Sequence, residues 1–520
     1  MARLALVSTS DKTGLVEFAR RLVEEFGFDL ISSGGTAKTL SNAKLPVMKV
    51  SDYTGFPEIL GGRVKTLHPR IHGGILGRRD FPSDVAEMEA NHIRPIDLVV
   101  VNLYPFQETI AKPGVTMAEA IENIDIGGPA MLRAAAKNHL HLTVLCKSSQ
   151  YEPYLQQLQE QRGEVSLAFR QACAREAFWH TATYDEAIAA YLGNQPLAGS
   201  LEDPTLPPQF TLVGKQVQPM RYGENPHQKA AWYQTGQTAT GWAAATKVQG
   251  KELSYNNLVD LEAARRLISE FPSSGAAAAA ILKHNNPCGV ALAKTPVAAY
   301  QKALASDPVS AFGGIVALNR PIDADTALEL TQIFLECVVA PACTPEAAEI
   351  LQSKSRVRVL TLASLTDEPQ QTIKAIAGGF LLQEGDQAME HPQQWQVVTE
   401  KQPTPDQIEE LFFAWKVVKH VKSNAIVVTR DRATAGVGAG QMNRVGSAKI
   451  ALEQAGDKAV GAVLSSDAFF PFGDSVKLAA EKGIVAIVQP GGSLRDQESI
   501  DAANELGIVM LFTGIRHFLH

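Results

Sequence analysis

Residues Ala276 to Gly289 read AAAAAILKHNNPCG, and this stretch indicates the fold class of the chain. The five alanines, with Ile281 and Leu282, form an apolar run of strand length that follows a Pro-Ser-Ser-Gly turn. The run ends in a cation, an imidazole and two amides, after which Pro287 and Gly289 are expected to turn the chain. A buried strand that ends in polar side chains is typical of an open α/β sheet, where ligands bind beside the strand ends.

Lys283 and His284, at the end of this strand, are candidates for proton transfer. A neighbouring ammonium favours the neutral form of an imidazole, which is the basic form at pH 7. The alternative is a polar strand end whose side chains only satisfy the backbone of a turn. These residues alone do not distinguish a catalytic role from a structural one, so the rest of the chain has to supply the distinction.

Length and composition limit the possibilities. With 520 residues, the chain is expected to contain at least two domains, each with its own core. A hydrophobic content of 45% with 20% charged residues is typical of a soluble globular protein, and the net charge of −7 argues against broad nucleic-acid binding. Five cysteines are an odd number in a long chain, which predicts a reducing compartment and no disulfide framework. No stretch is long enough for a membrane span or a signal peptide, so a cytoplasmic protein without a membrane partner is expected.

The first 150 residues alternate apolar strands with amphipathic helices. Strands are predicted over residues 4–7 and 28–31, and Gly14 to Glu25 reads as a helix with apolar residues at helical spacing. After each strand comes a loop of Ser, Thr, Gly and Lys that leads into a helix. Free N–H groups at such helix starts can bind phosphate, although the same residue types also serve as ordinary helix caps.

Residues 61–74, GGRVKTLHPRIHGG, contain three Arg/Lys, two His and four Gly. This composition suits neither a packed core element nor a solvated charge run, and it predicts a loop that wraps an anionic ligand. Ile96 to Val101 then reads as a buried parallel strand, followed by Asn102 and Tyr104. Arg133 and Lys137 lie four residues apart on one face of a predicted helix, which by itself indicates an exposed basic face.

Residues 193–208, GNQPLAGSLEDPTLPP, contain four prolines among glycine, serine and acidic residues. This composition predicts an interdomain linker. The predicted organisation is a domain over residues 1–199, a linker over 200–212 and a second domain over 213–520.

The sequence argues against two other classes of function. A zinc deaminase requires H-x-E and P-C-x-x-C motifs, which are absent, and the spacing of Cys288, Cys337 and Cys343 fits no usual zinc site. These cysteines are expected to be buried, inert thiols. A non-catalytic purine-nucleotide-binding regulatory protein would explain the polar loops, but it would leave Lys283 and His284 without a role.

Eleven motifs occur in a fixed order along the chain: SDKTG, SSGGTAKTL, GGRVKTLHPRIHGGIL, NLYPF, IDIGGPAMLRAAAKNH, RYGENPHQ, LKHNNPCG, SNAI, GAGQMNR, SSDAFFPFGD and TGIRHFLH. Together they resemble the bifunctional purine-biosynthesis family, in which an AICAR transformylase is joined to an IMP cyclohydrolase. The resemblance runs from Ser8 to His520. It implies an α/β fold, with an N-terminal Rossmann-type domain like methylglyoxal synthase. The second domain would be a duplicated α/β transformylase domain like a cytidine deaminase, without the zinc.

For the N-terminal domain, the resemblance implies closure of formyl-AICAR to IMP. The implied nucleotide-binding residues are Ser10, Lys12, Ser33, Gly34, Gly35, Thr36, Arg63, Lys65, Thr66, Asn102, Asp125 and Ile126. Lys137 matches the proton shuttle of the family, with Lys65, Tyr104 and Asp125 assisting.

For the second domain, the resemblance implies formyl transfer from 10-formyltetrahydrofolate to the amine of AICAR. His284 would take the proton of that amine, which is a weak nucleophile, and Lys283 would stabilise the oxyanion. The other implied AICAR-binding residues are Arg221, Tyr222, Gly313, Asn424, Arg444, Phe469 and Arg516, and the implied folate-binding residues are Glu336, Val445, Asp474, Gly491 and Gly492. The family works as a homodimer without a required metal, and both properties are expected here.

Overall fold

The computed structural model describes residues 2–193, 206, 208–236, 238–366, 371–388 and 391–520. The chain divides into two compact units, Met1–Thr211 and Leu212–His520. Most of the predicted linker, residues 200–212, lies outside the described residues. Within the described ranges, no helix combines the length and the apolar character needed to cross a membrane.

Unit 1 is an α/β layer around a five-stranded parallel sheet with strand order β3-β2-β1-β4-β5. Its elements are β1 (Arg3–Thr9), α1 (Leu15–Glu24), β2 (Phe28–Ser32), α2 (Gly34–Asn42), β3 (Val47–Lys49), α3 (Val50–Thr54), α4 (Pro69–Leu76), α5 (Pro82–Ala90), β4 (Leu98–Asn102), α6 (Phe106–Ile110), α7 (Met117–Glu122), α8 (Gly127–Lys137), β5 (Thr143–Leu145), α9 (Tyr151–Glu160) and α10 (Leu167–Gly193).

The apolar patterns in the sequence account for this core. Leu15, Phe18 and Leu22, one turn apart on α1, are buried as their spacing predicts. The apolar residues of β4 are buried without alternation, because helices cover both faces of a parallel sheet. The predicted α/β class is confirmed, with strand bounds that differ from the predicted ones by at most two residues.

The loop predicted over residues 61–74 is only partly a loop. Its second half begins α4 at Pro69, and the His68 side chain caps this helix by accepting a hydrogen bond from the Arg70 amide at 3.1 Å. A Cβ added to Gly74 would lie 2.7 Å from the carbonyl oxygen of Arg94. The glycines at the end of the segment therefore permit close helix packing and do not serve a ligand.

Unit 2 contains a twelve-stranded sheet and two separate hairpins, β6-β7 and β14-β15. Its elements are β6 (Gly214–Met220), β7 (Ala230–Thr235), β8 (Thr246–Gln249), α11 (Tyr255–Ser269), β9 (Ala277–Lys283), β10 (Asn286–Ala293), α12 (Pro296–Leu304), β11 (Gly314–Leu318), α13 (Ala324–Leu330), β12 (Leu335–Ala340), α14 (Pro345–Leu351), β13 (Arg358–Thr361), β14 (Gln371–Ile376), β15 (Gly379–Glu384), β16 (Gln396–Val397), α15 (Pro405–Val418), β17 (Ile426–Arg430), β18 (Ala433–Gly438), α16 (Arg444–Ala455), β19 (Val463–Ser466), α17 (Asp474–Glu481), β20 (Ala486–Gln489), α18 (Asp496–Glu505) and β21 (Val509–Phe512).

The large sheet consists of two copies of one arrangement. In each copy a helix is followed by an antiparallel hairpin and then by three helix–strand pairs. The first copy runs from α11 to β13, and the second runs from α15 to β21. In the sheet order β16-β21-β20-β19-β17-β18-β10-β9-β11-β12-β13-β8, the two copies meet where β10 pairs antiparallel with β18. The duplication that the resemblance implies is therefore present, while the likeness to cytidine deaminases stays a prediction.

The two copies also share a close helix–strand approach. A Cβ on Gly289 of β10 would lie 2.0 Å from the carbonyl oxygen of Ala303, and one on Gly436 of β18 would lie 1.9 Å from that of Ala451. Only glycine fits where the helix after each hairpin contacts the strand this closely. The glycines near residue 436 thus have a packing role.

The turn after the alanine-rich strand differs from its prediction. The chain reverses at His284 and Asn285, and Asn286 already pairs with Lys283 across the β9-β10 ladder. Pro287 and Gly289, predicted to form the turn, lie within β10 at a break in the ladder register. An irregular ladder tolerates proline, because that position needs no N–H donor.

Candidate active sites

A cavity of about 430 Å³ opens in unit 1 beside the ends of β1, β2 and β4. Its lining includes every residue of this unit that the resemblance implies for nucleotide binding, namely Ser10, Lys12, Ser33, Gly34, Gly35, Thr36, Arg63, Lys65, Thr66, Asn102, Asp125 and Ile126, together with Tyr104. A volume of this size is in the usual range for sites that bind small molecules.

Two helix N-termini contribute to this cavity. α2 begins at Gly34 and α8 at Gly127, so their unpaired N–H groups place positive partial charge at the lining. Lys65 adds a full positive charge close to the start of α2, where its Nζ would lie 3.5 Å from a Cβ on Gly34. Gly34 has a φ of 52°, which glycine adopts without strain. This combination suits a phosphate group.

Other lining residues are engaged with the protein itself. Asn102 Oδ1 accepts from the amides of Ser10 at 2.5 Å and Asp11 at 3.0 Å, and its Nδ2 donates to the Asp11 carbonyl at 2.8 Å. Thr36 Oγ1 accepts from the Thr9 amide at 3.1 Å and donates to the Thr9 carbonyl at 2.9 Å. These two side chains therefore shape the cavity wall.

Asp125 is a half-buried carboxylate beside a lysine. Burial raises its pKa, while hydrogen bonds from backbone amides and the charge of Lys65 oppose the rise. Its Oδ1 accepts from the Gly128 amide at 2.8 Å, and its own amide donates to the Tyr184 hydroxyl at 2.8 Å. A fixed carboxyl with a raised pKa next to an ammonium suits proton transfer.

The structure does not bring Lys137 to this cavity. Lys137 is the last residue of α8 and is exposed, whereas Gly127 at the other end of the helix lines the cavity. Ten residues of helix correspond to about 15 Å along the axis. Arg133, on the same exposed face, lies over the ring of Phe178 at 5.8 Å.

In unit 2 the sequence-predicted residues other than Arg221 and Tyr222 lie at or next to one edge of the large sheet, here called the site edge. It comprises the end of β9, the starts of β10, β11, β12, β13 and β17, and the ends of β18 to β21. The two copies are joined there, because Asn286 Oδ1 accepts from the Lys422 amide at 3.0 Å.

Lys283 and Gly313 lie side by side at the site edge. Lys283 Nζ donates to the carbonyl oxygens of Phe312 and Gly313, both at 3.1 Å. Gly313 has a φ of 67°, and a Cβ there would lie 3.1 Å from Lys283 Nζ. His284 follows Lys283 in the turn and is exposed. The ammonium is therefore held in place, while the neighbouring imidazole is accessible.

Asn424 is positioned by a buried ion pair. Arg444 donates from Nη2 to Asn424 Oδ1 at 2.8 Å and from Nη1 to Ser466 Oγ at 2.9 Å, and it forms an ion pair with Asp467. The side chains of Arg444 and Asp467 are only 6% and 0% exposed. Arg444 thus orients Asn424 and has little surface left for a ligand phosphate.

The remaining predicted residues of unit 2 are partly engaged with neighbours. Arg221 lies over the ring of Tyr222 at 5.6 Å and Arg516 over that of Phe518 at 4.6 Å. Glu336 forms an ion pair with Arg358 at 2.8 Å. The others are half-buried Phe469, Val445 at the start of α16, Asp474 at the start of α17, and Gly491 and Gly492 after β20.

Sequence reasoning assigned no role to several polar residues that the structure places around this edge. They are Asp260, Lys422 and Asp467, together with Asn286, which enters that reasoning only as one of the amides at the strand end. Asp467 lies within the SSDAFFPFGD motif, which was a usable signal. Asp260 lies on α11, more than twenty residues before the turn that it contacts, and nothing in its local sequence indicates that contact.

Among the residues described by the structure, no group of three or more His, Cys, Asp or Glu side chains is arranged to hold a metal ion. Cys288 and Cys337 are buried, and burial raises the pKa of each thiol to about 12. Such thiols stay protonated at pH 7, which makes them poor nucleophiles and poor metal ligands.

Comparison with known proteins identifies relatives for the whole chain. The family model described as AICARFT/IMPCHase bienzyme matches residues 135–454, and an MGS-like domain matches residues 14–130. Proteins named "Bifunctional purine biosynthesis protein PurH" from Trichormus variabilis, Nostoc sp. and Synechocystis sp. are each 68% identical over 520 residues. These alignments cover 100% of this chain and 100% of each relative.

Proposed function

The chain belongs to the AICARFT/IMPCHase bienzyme family, and on this premise we propose which of its residues carry each reaction. It is a bifunctional enzyme of purine biosynthesis. It transfers the formyl group of 10-formyltetrahydrofolate to AICAR and closes formyl-AICAR to IMP. This excludes the alternative of a non-catalytic regulatory protein.

Ring closure is assigned to the cavity of unit 1. The nucleotide phosphate would bind at the start of α2, where the unpaired N–H groups of Gly34 to Thr36 and the ammonium of Lys12 face the cavity. The imidazole carboxamide would then extend toward Lys65, Tyr104 and Asp125 in the same lining. The observation that supports this assignment is the pairing of a carboxyl of raised pKa with an ammonium inside a cavity of nucleotide size.

Asp125 and Lys65 can together balance the protons of ring closure. The carboxamide nitrogen bonds to the formyl carbon and loses a proton to the Asp125 carboxylate, while Lys65 protonates the formyl oxygen. In the second step the hydroxyl takes the proton from Asp125 and leaves as water. The formamide nitrogen gives its own proton to the neutral amine of Lys65, which becomes an ammonium again. Both side chains end as they began, and one water is released.

Formyl transfer is assigned to the site edge of unit 2. As the AICAR amine attacks the formyl carbon, the amine gives a proton to His284 and the formyl oxygen becomes an oxyanion. Lys283 has three N–H donors, of which two bind carbonyl oxygens, so the third can bind this oxyanion. When the bond to folate N10 breaks, N10 takes the proton from the imidazolium of His284, which yields tetrahydrofolate and formyl-AICAR.

The substrate contacts at this edge are proposals from the resemblance. Arg221 and Arg516 are exposed and can bind the AICAR phosphate, while Asn424, held by Arg444, can bind its carboxamide. Tyr222, Gly313 and Phe469 complete the AICAR set, and Glu336, Val445, Asp474, Gly491 and Gly492 are assigned to folate. A homodimer and a cytoplasmic location are proposed on the same ground.

Substitution of one residue in each site tests the assignment. His284→Ala is expected to lower formyl transfer by about 10²–10⁴-fold, the usual effect of losing a general base, and to leave cyclisation of supplied formyl-AICAR unchanged. Asp125→Asn is expected to do the reverse, so that formyl-AICAR accumulates from AICAR and 10-formyltetrahydrofolate. Each variant serves as the folding control of the other, because each retains one activity. Loss of both activities in a folded variant would contradict the assignment.

A further inference from the structure

The hairpin turn that carries His284 occurs in both copies of the duplicated sheet. His284 and Asn285 form the two-residue loop between β9 and β10, with φ values of 51° and 64°. Asp431 and Arg432 form the loop between β17 and β18, with φ values of 55° and 54°. Positive φ at both loop residues is the type I′ geometry, which suits the twist of a hairpin. It is uncommon in residues other than glycine, so each turn needs support from its surroundings.

In both copies that support includes a carboxylate from the preceding helix. Asp260 Oδ1 accepts from the Asn285 amide at 2.9 Å, and Glu410 Oε2 accepts from the Arg432 amide at 2.8 Å. Asp260 is the sixth residue of α11, and Glu410 is the sixth residue of α15. The second loop residue is held by equivalent side chains in the two copies, so the contact is a regular part of the arrangement.

The hydrogen bond acts on the one peptide group whose rotation would change the turn. Type I′ and II′ turns differ by a flip of the peptide between the two loop residues, which reverses its N–H and C=O. Here that peptide is held on both sides, because Asp260 binds the Asn285 N–H and Asn286 Nδ2 donates to the His284 carbonyl at 3.3 Å. The backbone of His284 is thereby held in a single orientation.

The turns supported by Asp260 and Glu410 differ in their side chains and in the charges around them. Arg432 also forms ion pairs with Asp406 and Glu409, so the second turn is held by several charges. Neither of its two loop residues, Asp431 and Arg432, is a histidine. Asp260 is half-buried, burial raises its pKa, and Lys283 and His284 are the cationic or titratable side chains near it. The same support thus lies beneath the proposed base in one copy and beneath an arginine-bearing turn in the other.

We propose that Asp260 is a positioning residue for formyl transfer, which holds the His284–Asn285 peptide so that the imidazole of His284 meets the AICAR amine. The proposal rests on the role assigned to His284 above. Asp260 itself contacts no substrate atom, and it acts through the backbone of the turn. A displacement of about 1 Å at a reacting group can cost about 10²-fold in rate, so a released turn should slow the chemical step more than it weakens AICAR binding.

Matched substitutions in the two copies separate positioning from general stability. In the full-length chain, Asp260→Ala is expected to lower kcat of formyl transfer by about 10- to 100-fold, with little change in KM for AICAR. Asp260→Asn is expected to restore most of kcat, because the amide oxygen still accepts the Asn285 N–H. Glu410→Ala, which removes the equivalent carboxylate beneath the turn without histidine, is expected to leave kcat near that of the unaltered protein.

Two further measurements distinguish the outcomes. Cyclisation of supplied formyl-AICAR and the thermal midpoint report whether each variant is folded. If Asp260→Ala does not fold, Asp260→Glu replaces it, since a carboxylate one methylene longer is expected to lower kcat more than Asp260→Asn does. The inference is overturned if Asp260→Ala, or Asp260→Glu in its place, leaves kcat unchanged, or if Glu410→Ala lowers kcat equally. His284→Ala is measured alongside as a test of the proposed function. If that variant retains formyl transfer, the role assigned to His284 is wrong, whatever the Asp260 variants show.

Discussion

At the scale of single residues, the environment of a side chain decides its role more than its type does. Asp125 is half-buried and Asp467 is fully buried, but Asp467 is paired with Arg444, and Arg444 orients Asn424. Asp125 binds backbone amides and faces Lys65 across a cavity, which leaves it available for proton transfer. Removing one partner of a buried ion pair typically costs about 3–5 kcal/mol, so Asp467 and Arg444 contribute mainly to stability and geometry.

Lys137→Ala tests the one predicted catalytic residue that the structure places away from its cavity. The expected loss of cyclisation is less than about tenfold, below the 10²–10⁴-fold typical of a general acid or base, because α8 separates Lys137 from the cavity. The measurement is the rate of IMP formation from supplied formyl-AICAR, with Arg133→Ala, on the same helix face, as control. A loss as large as that of Asp125→Asn would contradict this expectation and would mean that Lys137 reaches a cavity from a second copy of the chain.

Sequence reasoning identified the cavity residues well and their partners poorly. The resemblance implies that Lys65, Tyr104 and Asp125 belong to one site, and the structure brings them together in one cavity. It did not show that Asn102 is occupied by the turn at Ser10 and Asp11, because that contact joins residues about ninety positions apart. Motifs record which residues are present, whereas hydrogen-bond partners depend on how distant segments pack.

At the scale of elements, local composition misled where packing sets the conformation. The glycines of residues 61–74 predict a loop, but two of them lie in α4, where a neighbouring segment leaves no room for a Cβ. Pro287 predicts a turn, but the turn lies at His284 and Asn285, supported by the carboxylate of Asp260. In both cases a tertiary contact outweighs an intrinsic preference.

The end of α15 gives unit 2 a stability that depends on pH. Glu270 Oε1 accepts from Lys419 Nζ and His420 Nε2, both at 3.1 Å. Burial alone raises the pKa of Glu270, but His420 and Lys419 outweigh it and lower the pKa to about 2. Burial also lowers the pKa of His420, although Glu270 opposes this effect. The fold therefore favours an ionised Glu270 and a neutral His420.

Unit 2 is expected to lose stability as the pH falls below about 6.5, where the unfolded chain binds a proton at His420 and the folded chain resists it. The contribution of Glu270 is present above its unfolded pKa of 4.5 and is lost as the pH falls from there toward about 2. Urea unfolding followed by tryptophan fluorescence between about pH 8 and pH 5 measures the first effect. His420→Gln should reduce the fall in that range, and His391→Gln, at an exposed histidine, should not. An unchanged fall in His420→Gln would show that other groups are responsible.

At the scale of the whole molecule, the two reactions are proposed to take place on two units with different sheets. Unit 1 has a parallel sheet with a cavity beside its strand ends, and unit 2 has a duplicated sheet with polar residues at one edge. The resemblance implies the α/β fold class and the duplication, and the structure has both. The joining of the two copies through β10 and β18 was not visible in the sequence, because these strands lie more than a hundred residues apart and pair only through tertiary packing.

The central claim is that formyl transfer and ring closure use separate sites on separate units, and one mixing experiment tests it most directly. His284→Ala and Asp125→Asn are incubated with AICAR and 10-formyltetrahydrofolate, first alone and then together, and formyl-AICAR and IMP are quantified. Alone, Asp125→Asn should accumulate formyl-AICAR, and His284→Ala should yield little of either product. Together they should form IMP, because the intermediate released by one protein is cyclised by the other. Failure of the mixture to form IMP, with both proteins folded and formyl-AICAR present, would contradict the account.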